Sequence, residues 1–379
     1  MPVRVTIVLC FLAFLPGITR GQSTTDALDV FGYFQSVFDH SSEQTSIRGR
    51  STTSGTRNTF ILQQANIFFR KQFNSRFAAF VDLEFTNTYA STRKWGTFRL
   101  EEAWLRYQTS EEFSIKAGLL VPVFNNLNEI KNRTPILPYI TRPFVYEAAA
   151  EGVGSIDDYI PGSAFLQIEG ALHLDELRLD YAVYAGNGDP NFVSSGQDGQ
   201  QYSIGGTDTT TFKLVGGRVG VRTGRLKAGF SMTSDKADRQ SIGVGPVHRL
   251  RIGGDLSYLL GPLSLESEFI STKEYLDDHQ AQVYAAVSRM DPRLGREPSN
   301  LFVYGVLAYD ISESFYVYGG MEYLESHKAS VTRGTMAGGG YRPIDNVVLK
   351  LQYLHISNEF QGLSSYLSDR IQAGVSVMF

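Results

Sequence analysis

The chain of 379 residues has few of the residues that form disulfides or interrupt regular secondary structure, with one cysteine and 13 prolines. It also has only two tryptophans. After residue 21 no stretch approaches the ~20 apolar residues that a membrane-spanning helix requires, which excludes a helical membrane bundle. A net charge of −4 provides no basic surplus, so we expect no nucleic-acid partner. The sequence contains no phosphate-binding loop, serine elbow or zinc-site spacing, so we expect no enzymatic activity, no cofactor and no metal.

Glycine and aromatic residues are abundant instead, with 37 glycines, 25 phenylalanines and 20 tyrosines. Apolar residues make up 42% of the chain and charged residues 20%, a balance that excludes an intrinsically disordered protein. The mean hydropathy is nevertheless only −0.15. The apolar residues must therefore alternate with polar ones, because they are not gathered into long runs.

The first 21 residues have the organisation of a secretory signal peptide. A positive charge at Arg4 precedes the apolar segment 5–15, and small residues lead up to a cleavage position after Gly21. A buried N-terminal strand is the alternative interpretation. Cys10 lies within this segment, so the exported chain would carry no cysteine and could not be stabilised by disulfides.

The remaining chain, 22–379, alternates with period two. In 77–86 the apolar residues occupy every second position from Phe77 to Phe85, whereas Asp82 and Glu84 occupy the intervening positions, as in a β-strand. Most such runs have nine to eleven residues, the length at which a tilted strand crosses a bilayer. Sixteen runs follow this pattern: 29–38, 60–71, 77–86, 99–108, 113–122, 164–172, 177–185, 213–222, 226–233, 249–259, 263–272, 300–309, 315–323, 335–342, 347–356 and 369–379.

The gaps between the runs alternate strictly between long and short. The short gaps hold three to five residues with turn chemistry, such as Gly261-Pro262, and the long gaps, such as 39–59, 324–334 and 357–369, hold eleven or more. Outer-membrane barrels have tight periplasmic turns and long outer loops. The sequence therefore predicts an all-β fold, a 16-stranded antiparallel transmembrane β-barrel with long outer loops and short periplasmic turns, and both termini at the periplasmic end.

Aromatic residues lie at the ends of several predicted strands on the face that would meet lipid. Phe77, Phe113, Tyr309, Phe315 and Phe379 would lie at the periplasmic rim. Aromatic girdles are typical of both interfaces of a membrane barrel. The preference of aromatic residues for strands in general is the alternative explanation.

Charged residues must face the interior, because an Arg or Lys on the lipid face near the bilayer midplane costs about 2–4 kcal/mol. Sixteen strands are wide enough to enclose an aqueous channel. On 249–259, for example, Arg249 and Arg251 alternate with Leu250 and Ile252. The predicted lumen-lining residues are Asp82, Glu84, Glu102, Arg106, Lys116, Arg218, Arg222, Lys227, Arg249 and Arg251.

The end of the chain, an alternating strand that terminates in Phe379, is similar to the C-terminal strand by which bacterial outer-membrane proteins are recognised for assembly. With sixteen strands and a long third outer loop, the chain resembles the bacterial porins. The stretches 98–107 (FRLEEAWLRY) and 113–119 (FSIKAGL) resemble the trimeric porins grouped with the phosphate-selective porins O and P. This resemblance implies location in the bacterial outer membrane, contact with its lipid and its assembly machinery, and a homotrimer.

The longest gap, 123–163, is the third long loop, and the resemblance implies that it folds into the barrel and constricts the pore. Its many apolar residues favour packing against a wall rather than full solvation. An outer lid or a trimer latch is the alternative. The predicted constriction residues are Glu129, Lys131, Arg133, Arg142 and Glu147.

The resulting functional prediction is a porin that allows passive diffusion of small hydrophilic solutes and ions. The alternatives are a substrate-specific channel for an anion, either phosphate or a carboxylate, and a non-conducting structural or adhesive barrel.

Two weaker sequence patterns could indicate a functional site, but each also has an ordinary structural explanation. The run 277–279 (DDH) could form a protease-like acid–histidine pair but reads better as a solvated loop, and 187–189 (NGD) with 198–199 (DG) could bind calcium but also suit ordinary turns.

Overall fold

The computed structural model describes residues 27–47, 50–86, 97–130, 134–146, 163–188, 194–195, 201–202, 212–238, 246–288, 298–326, 330–360 and 364–379. Sixteen long strands form one closed sheet in which every neighbouring pair is antiparallel. They are β1 Asp29–Ile47, β2 Arg50–Gln72, β3 Phe77–Thr86, β4 Thr97–Gln108, β5 Ser114–Leu120, β6 Ser163–Leu174, β7 Leu177–Asn187, β8 Lys213–Thr223, β9 Leu226–Asp238, β10 Pro246–Leu260, β11 Leu263–Tyr275, β12 Ser299–Asp310, β13 Phe315–Ser326, β14 Ser330–Ile344, β15 Val347–Phe360 and β16 Ser364–Met378.

The first and last strands close the ring. Tyr33 on β1 pairs with Met378 on β16, and the backbone of Gly32 exchanges hydrogen bonds of 2.8 and 2.9 Å with Phe379. Closure leaves the barrel without a strand edge, so the backbone groups of its strands find their partners around the ring. The predicted all-β, 16-stranded antiparallel barrel is confirmed.

Several strands run further than the sequence indicated at the long-loop end. The segments 39–59, 324–334 and 357–369, predicted as long loops, are largely occupied by continuations of β1, β2, β13, β14, β15 and β16. The polar side chains there pair across the strands, as in the 2.7 Å contact between His40 Nδ1 and Asn58 Oδ1. The prediction was wrong because a strand with water on both faces needs no apolar residues, so its alternation leaves no hydrophobic pattern.

A helix, α1 Asp278–Ser288, lies between β11 and β12, where the sequence predicted only a polar loop. Its N-terminus is a capping box: the Gln280 amide donates to Asp277 Oδ1 at 2.7 Å, and the Asp277 amide donates to Gln280 Oε1 at 3.0 Å. Ala281 and Val283 pack against a small buried cluster of Val247 and Leu276. Asp277 and Asp278 therefore begin a capped helix rather than lying in a solvated loop.

The two faces of the sheet have opposite polarity. Large apolar side chains remain exposed on the outside, including Val219 at 60%, Phe230 at 48% and Leu351 at 59%. Phe77, Phe113, Tyr309, Phe315 and Phe379 are all exposed near the short-turn end. A water-soluble barrel would hide this surface, so its exposure indicates an apolar surrounding. Within the described residues, α1 and the three short 3-10 helices are all too short or too polar to cross a membrane.

The hydrophobic core lies inside the barrel and off its axis. It forms where the chain after β5 turns inward and packs against the inner faces of β11 to β15. The buried members of this core are Phe124, Leu127, Leu137, Tyr139, Phe144, Val145, Tyr146, Ile270, Phe302, Tyr304, Val306, Tyr316, Tyr318, Leu324, Met336, Val348, Leu354 and Ile356. One wall of the interior is therefore covered, and the site lies against the other wall.

Candidate functional site: the barrel interior

The inserted segment, defined here as residues 121–130 and 134–146, follows β5 and runs along the inner wall of the barrel. It contains three short 3-10 helices, Asn128–Ile130, Thr134–Ile136 and Phe144–Tyr146, and no strand. A segment without regular structure leaves many backbone groups without internal partners, and burying them unsatisfied would be costly. Side chains of the wall supply those partners.

Lys350, on β15, binds the carbonyl oxygens of the middle of the segment. Its ammonium nitrogen lies 2.6 Å from the Leu137 oxygen, 3.1 Å from the Pro135 oxygen and 3.4 Å from the Tyr139 oxygen. A fourth acceptor, Gln35 Oε1, lies 3.1 Å away on β1. Because three of these acceptors are backbone carbonyl oxygens of the inserted segment, the ammonium group fixes the path of the segment across β15.

Glutamine side chains hold the turn of the segment next to Lys350. The amide of Ile140 donates to Gln352 Oε1 at 2.7 Å, and its carbonyl oxygen accepts from Gln35 Nε2 at 3.2 Å. Thr141 Oγ1 donates to Gln372 Oε1 at 2.8 Å. These bonds reach β15, β16 and β1, so the segment crosses the seam where the barrel closes.

Glu268, on β11, ties the beginning of the segment to its end. Its Oε1 accepts from the amides of Asn126 and Leu127 at 2.9 and 2.6 Å, and its Oε2 accepts from the Tyr146 hydroxyl at 2.8 Å. Burial, followed by the nearby Glu268 charge, raises the pKa of the Tyr146 phenol, so this hydroxyl keeps the proton that it donates. On β13, Glu322 similarly accepts from the Phe144 amide at 2.5 Å.

Two wall glycines give the aromatic rings of the segment their space. A Cβ atom at Gly253 on β10 would lie 2.6 Å from the Phe124 ring, and one at Gly334 on β14 would lie within 2.8 Å of the Phe144 ring. These approaches are shorter than any ordinary carbon contact, so any larger side chain would displace the rings. The wall therefore accommodates the aromatic rings of the segment at its glycines and binds the backbone of the segment through its polar and charged side chains.

A cavity of about 480 Å³ remains between the beginning of the segment and the wall formed by β4 to β9. Its lining is rich in ionisable side chains of both signs, with more basic than acidic members. The basic residues are Arg106, Lys116, Arg178, Arg218, Arg222 and Lys227, and the acidic residues are Glu111, Glu129, Glu169 and Asp180. The interior therefore contains a polar cavity on the side that the segment leaves uncovered.

Several of these charges are paired, either across neighbouring strands or along one strand. Lys116 Nζ lies 2.8 Å from Glu169 Oε1, and Asp180 binds both Arg222, at 2.6 Å, and Arg178, at 2.8 Å. Arg218 is different, because it is nearly buried and donates to both oxygens of Asp255 at 3.1 and 2.7 Å. The half-exposed Arg222 and Arg178 therefore meet the cavity water, whereas Arg218 supports the wall.

The charged residues of the inserted segment face wall residues of opposite sign. Glu129 is exposed and interacts electrostatically with Lys227, which also donates to the Asn126 side chain. Arg142 is partly exposed and interacts electrostatically with Glu84 on β3. The remaining predicted constriction residues, Lys131, Arg133 and Glu147, lie outside the described residues.

The predicted lumen-lining residues all lie on the inner face, but they differ in exposure. Asp82 and Glu84 are buried and accept from Asn66 at 2.8 Å and Gln64 at 3.1 Å. Glu102, which is half-buried, accepts from Trp104 Nε1 at 2.8 Å. Lys116, Arg222 and Lys227 line the cavity together with Arg106.

Arg249 and Arg251 do not line open water, and the prediction needs correction there. Both guanidinium groups are buried, and both bind the buried carboxylate of Asp235, at 2.7 Å for Arg249 and 3.1 Å for Arg251. Alternation correctly indicates that they point inward. It cannot indicate that the two cations share one carboxylate and are enclosed by their neighbours.

The residues that hold the inserted segment were missed as a group by the sequence analysis. Lys350, Gln352, Glu322 and Gln372 look like ordinary inward-facing polar residues of a barrel strand. A signal was available on two of the strands: Glu322 lies between the apolar inward residues Tyr318 and Leu324, and Lys350 and Gln352 lie between Val348 and Leu354. Gln372 offers no such signal, because its inward neighbours Arg370 and Ser376 are also polar. Such an interruption indicates something polar to bind within the barrel.

Among the side chains that the structure describes, no group of three or more His, Cys, Asp or Glu residues could hold a metal ion. Of the two sequences considered for calcium, Asp189 and the pair 198–199 lie outside the described residues. The geometry around Asn187 therefore adds nothing to that hypothesis, and it plays no part in the site.

No family model and no curated protein matches this chain. Solved structures do match over 93% of its length. The anion-selective porin from Comamonas acidovorans aligns over 99% of its own chain with a TM-score of 0.59 and 13% identity, and the outer membrane channel DcaP of Acinetobacter baumannii over 97% with 0.56 and 12%. The trimer form of OmpT, an outer membrane protein of Vibrio cholerae, aligns over 100% with 0.52 and 11%. At these identities the likeness establishes a shared barrel fold.

Proposed function

We propose that this protein is a porin: a water-filled channel in the bacterial outer membrane through which small hydrophilic solutes and ions diffuse passively. One observation carries the proposal, namely a closed barrel that is apolar outside and charged inside, with a segment anchored along one inner wall and a polar cavity left along the other. An inside-out polarity of this kind suits a barrel surrounded by lipid and filled with water.

The inserted segment is the proposed constriction. Sixteen strands enclose a lumen wide enough for an aqueous channel, so a segment must occupy part of that lumen before the channel can sieve its solutes. Apolar packing on β11 to β15 and polar anchors on β11, β13, β15 and β16 hold it to one side. Solutes would pass between the segment and β3 to β9.

Charge across that passage would set ion preference. Glu129 and Arg142 project from the segment towards Lys227 and Glu84 respectively, so opposite charges face each other at two points. Opposed charges create a transverse field that orients polar solutes and disfavours apolar ones. Diffusion through such a path requires no bound cofactor and no chemical step.

The proposed location and assembly extend the same reasoning. An export signal in 1–21 would deliver the chain across the inner membrane. Phe379, 60% exposed at the short-turn end, is the proposed recognition residue for the outer-membrane assembly machinery. A homotrimer is also proposed, supported by the trimer form of the structurally similar OmpT from Vibrio cholerae.

An anion-preferring channel is the second candidate, and the cavity lining favours it, because six basic side chains oppose four acidic ones there. The structurally similar porin from Comamonas acidovorans is described as anion-selective. Phosphate or carboxylate specificity would need cations that are not already neutralised, whereas Arg218, Lys116 and Arg222 each bind a carboxylate. We therefore place a general channel first.

Planar-bilayer recording of the refolded full chain tests the proposal. We expect stepwise, ohmic conductance carried by simple salts. Block of potassium chloride current by millimolar phosphate would favour the specific anion channel. Insertion without conductance would contradict the porin proposal and favour a structural or adhesive barrel.

A further inference from the structure

A second cavity, of about 280 Å³, lies at the short-turn end of the barrel, next to the middle of the inserted segment. Its walls come from the inner faces of β11 to β16 where these strands begin or end, through residues such as Ser264, Ala308 and Met378. It shares no lining residue with the cavity of about 480 Å³ that borders the proposed passage. The smaller cavity is therefore a separate candidate site.

The inserted segment contributes an apolar surface to this cavity. Ile136 is 49% exposed, and among the side chains that the structure describes in the segment it is the only large apolar one that is exposed. Val348 and Met378 on the barrel wall continue the apolar lining. Covering the exposed Ile136 side chain with an apolar ligand would remove this surface from water, which is favourable.

The backbone that carries this apolar surface is held in place from the wall. The Tyr316 hydroxyl donates to the Pro138 carbonyl oxygen at 2.9 Å, and Lys350 donates to the carbonyl oxygens of Pro135 and Leu137. A cavity that is already formed requires little ordering of the protein when a ligand binds. The cavity can therefore bind a small molecule without rearrangement of the segment.

The one basic residue of the lining is already engaged by its neighbours. Arg342 Nη1 lies 3.3 Å from Asp310 Oδ1 and also donates to the backbone oxygen of Glu313 at 3.3 Å. The guanidinium carbon lies 4.5 Å from the centre of the Tyr316 ring. The positive charge of Arg342 is thus offset by Asp310, so it offers little attraction to an anionic ligand.

A second carboxylate lines the cavity without such an offset. Asp345 lies in the turn between β14 and β15, and its carboxylate forms no hydrogen bond or ion pair with the residues that the structure describes. Because Arg342 and Asp310 offset each other, the lining keeps one negative charge beside its apolar surface. A ligand that is complementary to both features carries one positive charge on an apolar body.

We propose that this cavity binds a compact organic cation, with its primary ammonium group at the Asp345 carboxylate and its apolar body against Ile136 and Val348. At about 280 Å³ the cavity is slightly smaller than the ~300–1,000 Å³ of typical ligand pockets, so it suits a small molecule. The short-turn end faces the periplasm in the proposed function, so the ligand would enter from there. The inference depends on the proposed function for that placement alone, because binding requires the folded barrel but not conductance.

Ligand-observed NMR titration of the refolded full chain tests the site, with 2-phenylethylammonium as the probe and 2-phenylethanol as its neutral counterpart. One detergent concentration is used throughout, so partition into micelles is common to all samples. Asp345→Asn should weaken binding of the amine about threefold, as expected for an exposed ion pair, and leave binding of the alcohol unchanged. Ile136→Ala should weaken binding of both probes about tenfold, because both lose the same apolar contact.

The matched controls remove the same chemical groups elsewhere at the short-turn end. Asp175→Asn changes an acidic residue in the turn between β6 and β7, and Ile311→Ala changes an isoleucine that is 61% exposed beyond β12. Both controls should bind the amine like the wild type, and circular dichroism establishes that every variant is folded.

Wild-type affinity in Asp345→Asn or Ile136→Ala, or an equal loss in the matched control, would overturn the site. Equal binding of the amine and the alcohol by the wild type would overturn the preference for a cation. Conductance is recorded on the same preparations. A wild type that conducts but does not bind the amine contradicts this site alone, whereas one that binds the amine but does not conduct contradicts the porin proposal alone.

Discussion

The ammonium nitrogen of Lys350 lies 2.6 Å from the carbonyl oxygen of Leu137, although 213 positions separate the two residues in the chain. This contact joins β15 to the inserted segment that packs against its inner face. An ammonium group surrounded by carbonyl oxygens cannot be exchanged for a neutral side chain without leaving several acceptors unsatisfied. Lys350 is therefore a positioning residue for the proposed constriction.

Replacing Lys350 with methionine should loosen the inserted segment. Methionine keeps the length of the side chain but donates no hydrogen bond, so the Pro135, Leu137 and Tyr139 oxygens lose their donor, at a cost of about 1–3 kcal/mol for each buried group left unsatisfied. Single-channel recording should show a larger and noisier conductance than the wild type. Lys71→Met, on the outer surface, is the control and should leave the conductance unchanged. A lower melting temperature with identical single-channel traces would contradict the positioning role.

Replacing Glu268 with alanine should release both ends of the segment together. The carboxylate accepts from Asn126, Leu127 and Tyr146, and hydrogen bonds to charged groups contribute about 1.5–3 kcal/mol each. Glu268→Gln retains one acceptor oxygen and should show an intermediate effect. Protease sensitivity of the segment in the folded barrel measures the release, and equal cleavage of the wild type and both variants would argue against it.

Much of the fold could be predicted from the sequence because the barrel imposes a simple rule on each strand. Every strand has one face in lipid and one in the interior, so period-two alternation located all sixteen, including β3 at 77–86 exactly as the structure has it. The rule fails above the membrane, where β1 and β2 continue through residues predicted as a loop, and within 273–299, where α1 depends on a local cap.

The interior was less predictable than the wall, for a different reason. Alternation indicates that Arg222 and Arg251 both point inward, yet Arg222 meets the cavity and Arg251 is fully buried. That difference depends on Asp235, a residue of β9. The register of β9 with β10 places the Asp235 carboxylate close enough to bind Arg251. Contacts between strands and the inserted segment involve residues far apart in the chain, so no local pattern contains them.

Replacing Asp235 with alanine should destabilise the barrel without changing ion preference. The variant leaves Arg249 and Arg251 buried without their shared carboxylate, and breaking a buried pair in this way costs about 3–5 kcal/mol. Asp180→Ala is the matched comparison, because Asp180 binds the half-exposed Arg222 in the cavity and should change stability by only about 0–1 kcal/mol. Denaturant unfolding and reversal potentials measure the two effects. A shift in ion preference for Asp235→Ala would mean that these arginines do meet the conducting path.

Replacing Arg142 with alanine should shift ion preference towards cations. Arg142 projects from the segment towards Glu84, and both lie on the side of the interior where solutes would pass, so its removal leaves the Glu84 carboxylate without the nearby opposing charge. Arg142→Lys keeps the charge and should retain the wild-type preference, whereas Glu129→Gln should shift it towards anions, because Lys227 then loses its acidic neighbour. Reversal potentials in a potassium chloride gradient measure all three variants. Identical reversal potentials in the wild type, Arg142→Ala and Glu129→Gln would place the conducting path away from the inserted segment, because a charge that borders the narrowest water must bias the ions that cross it.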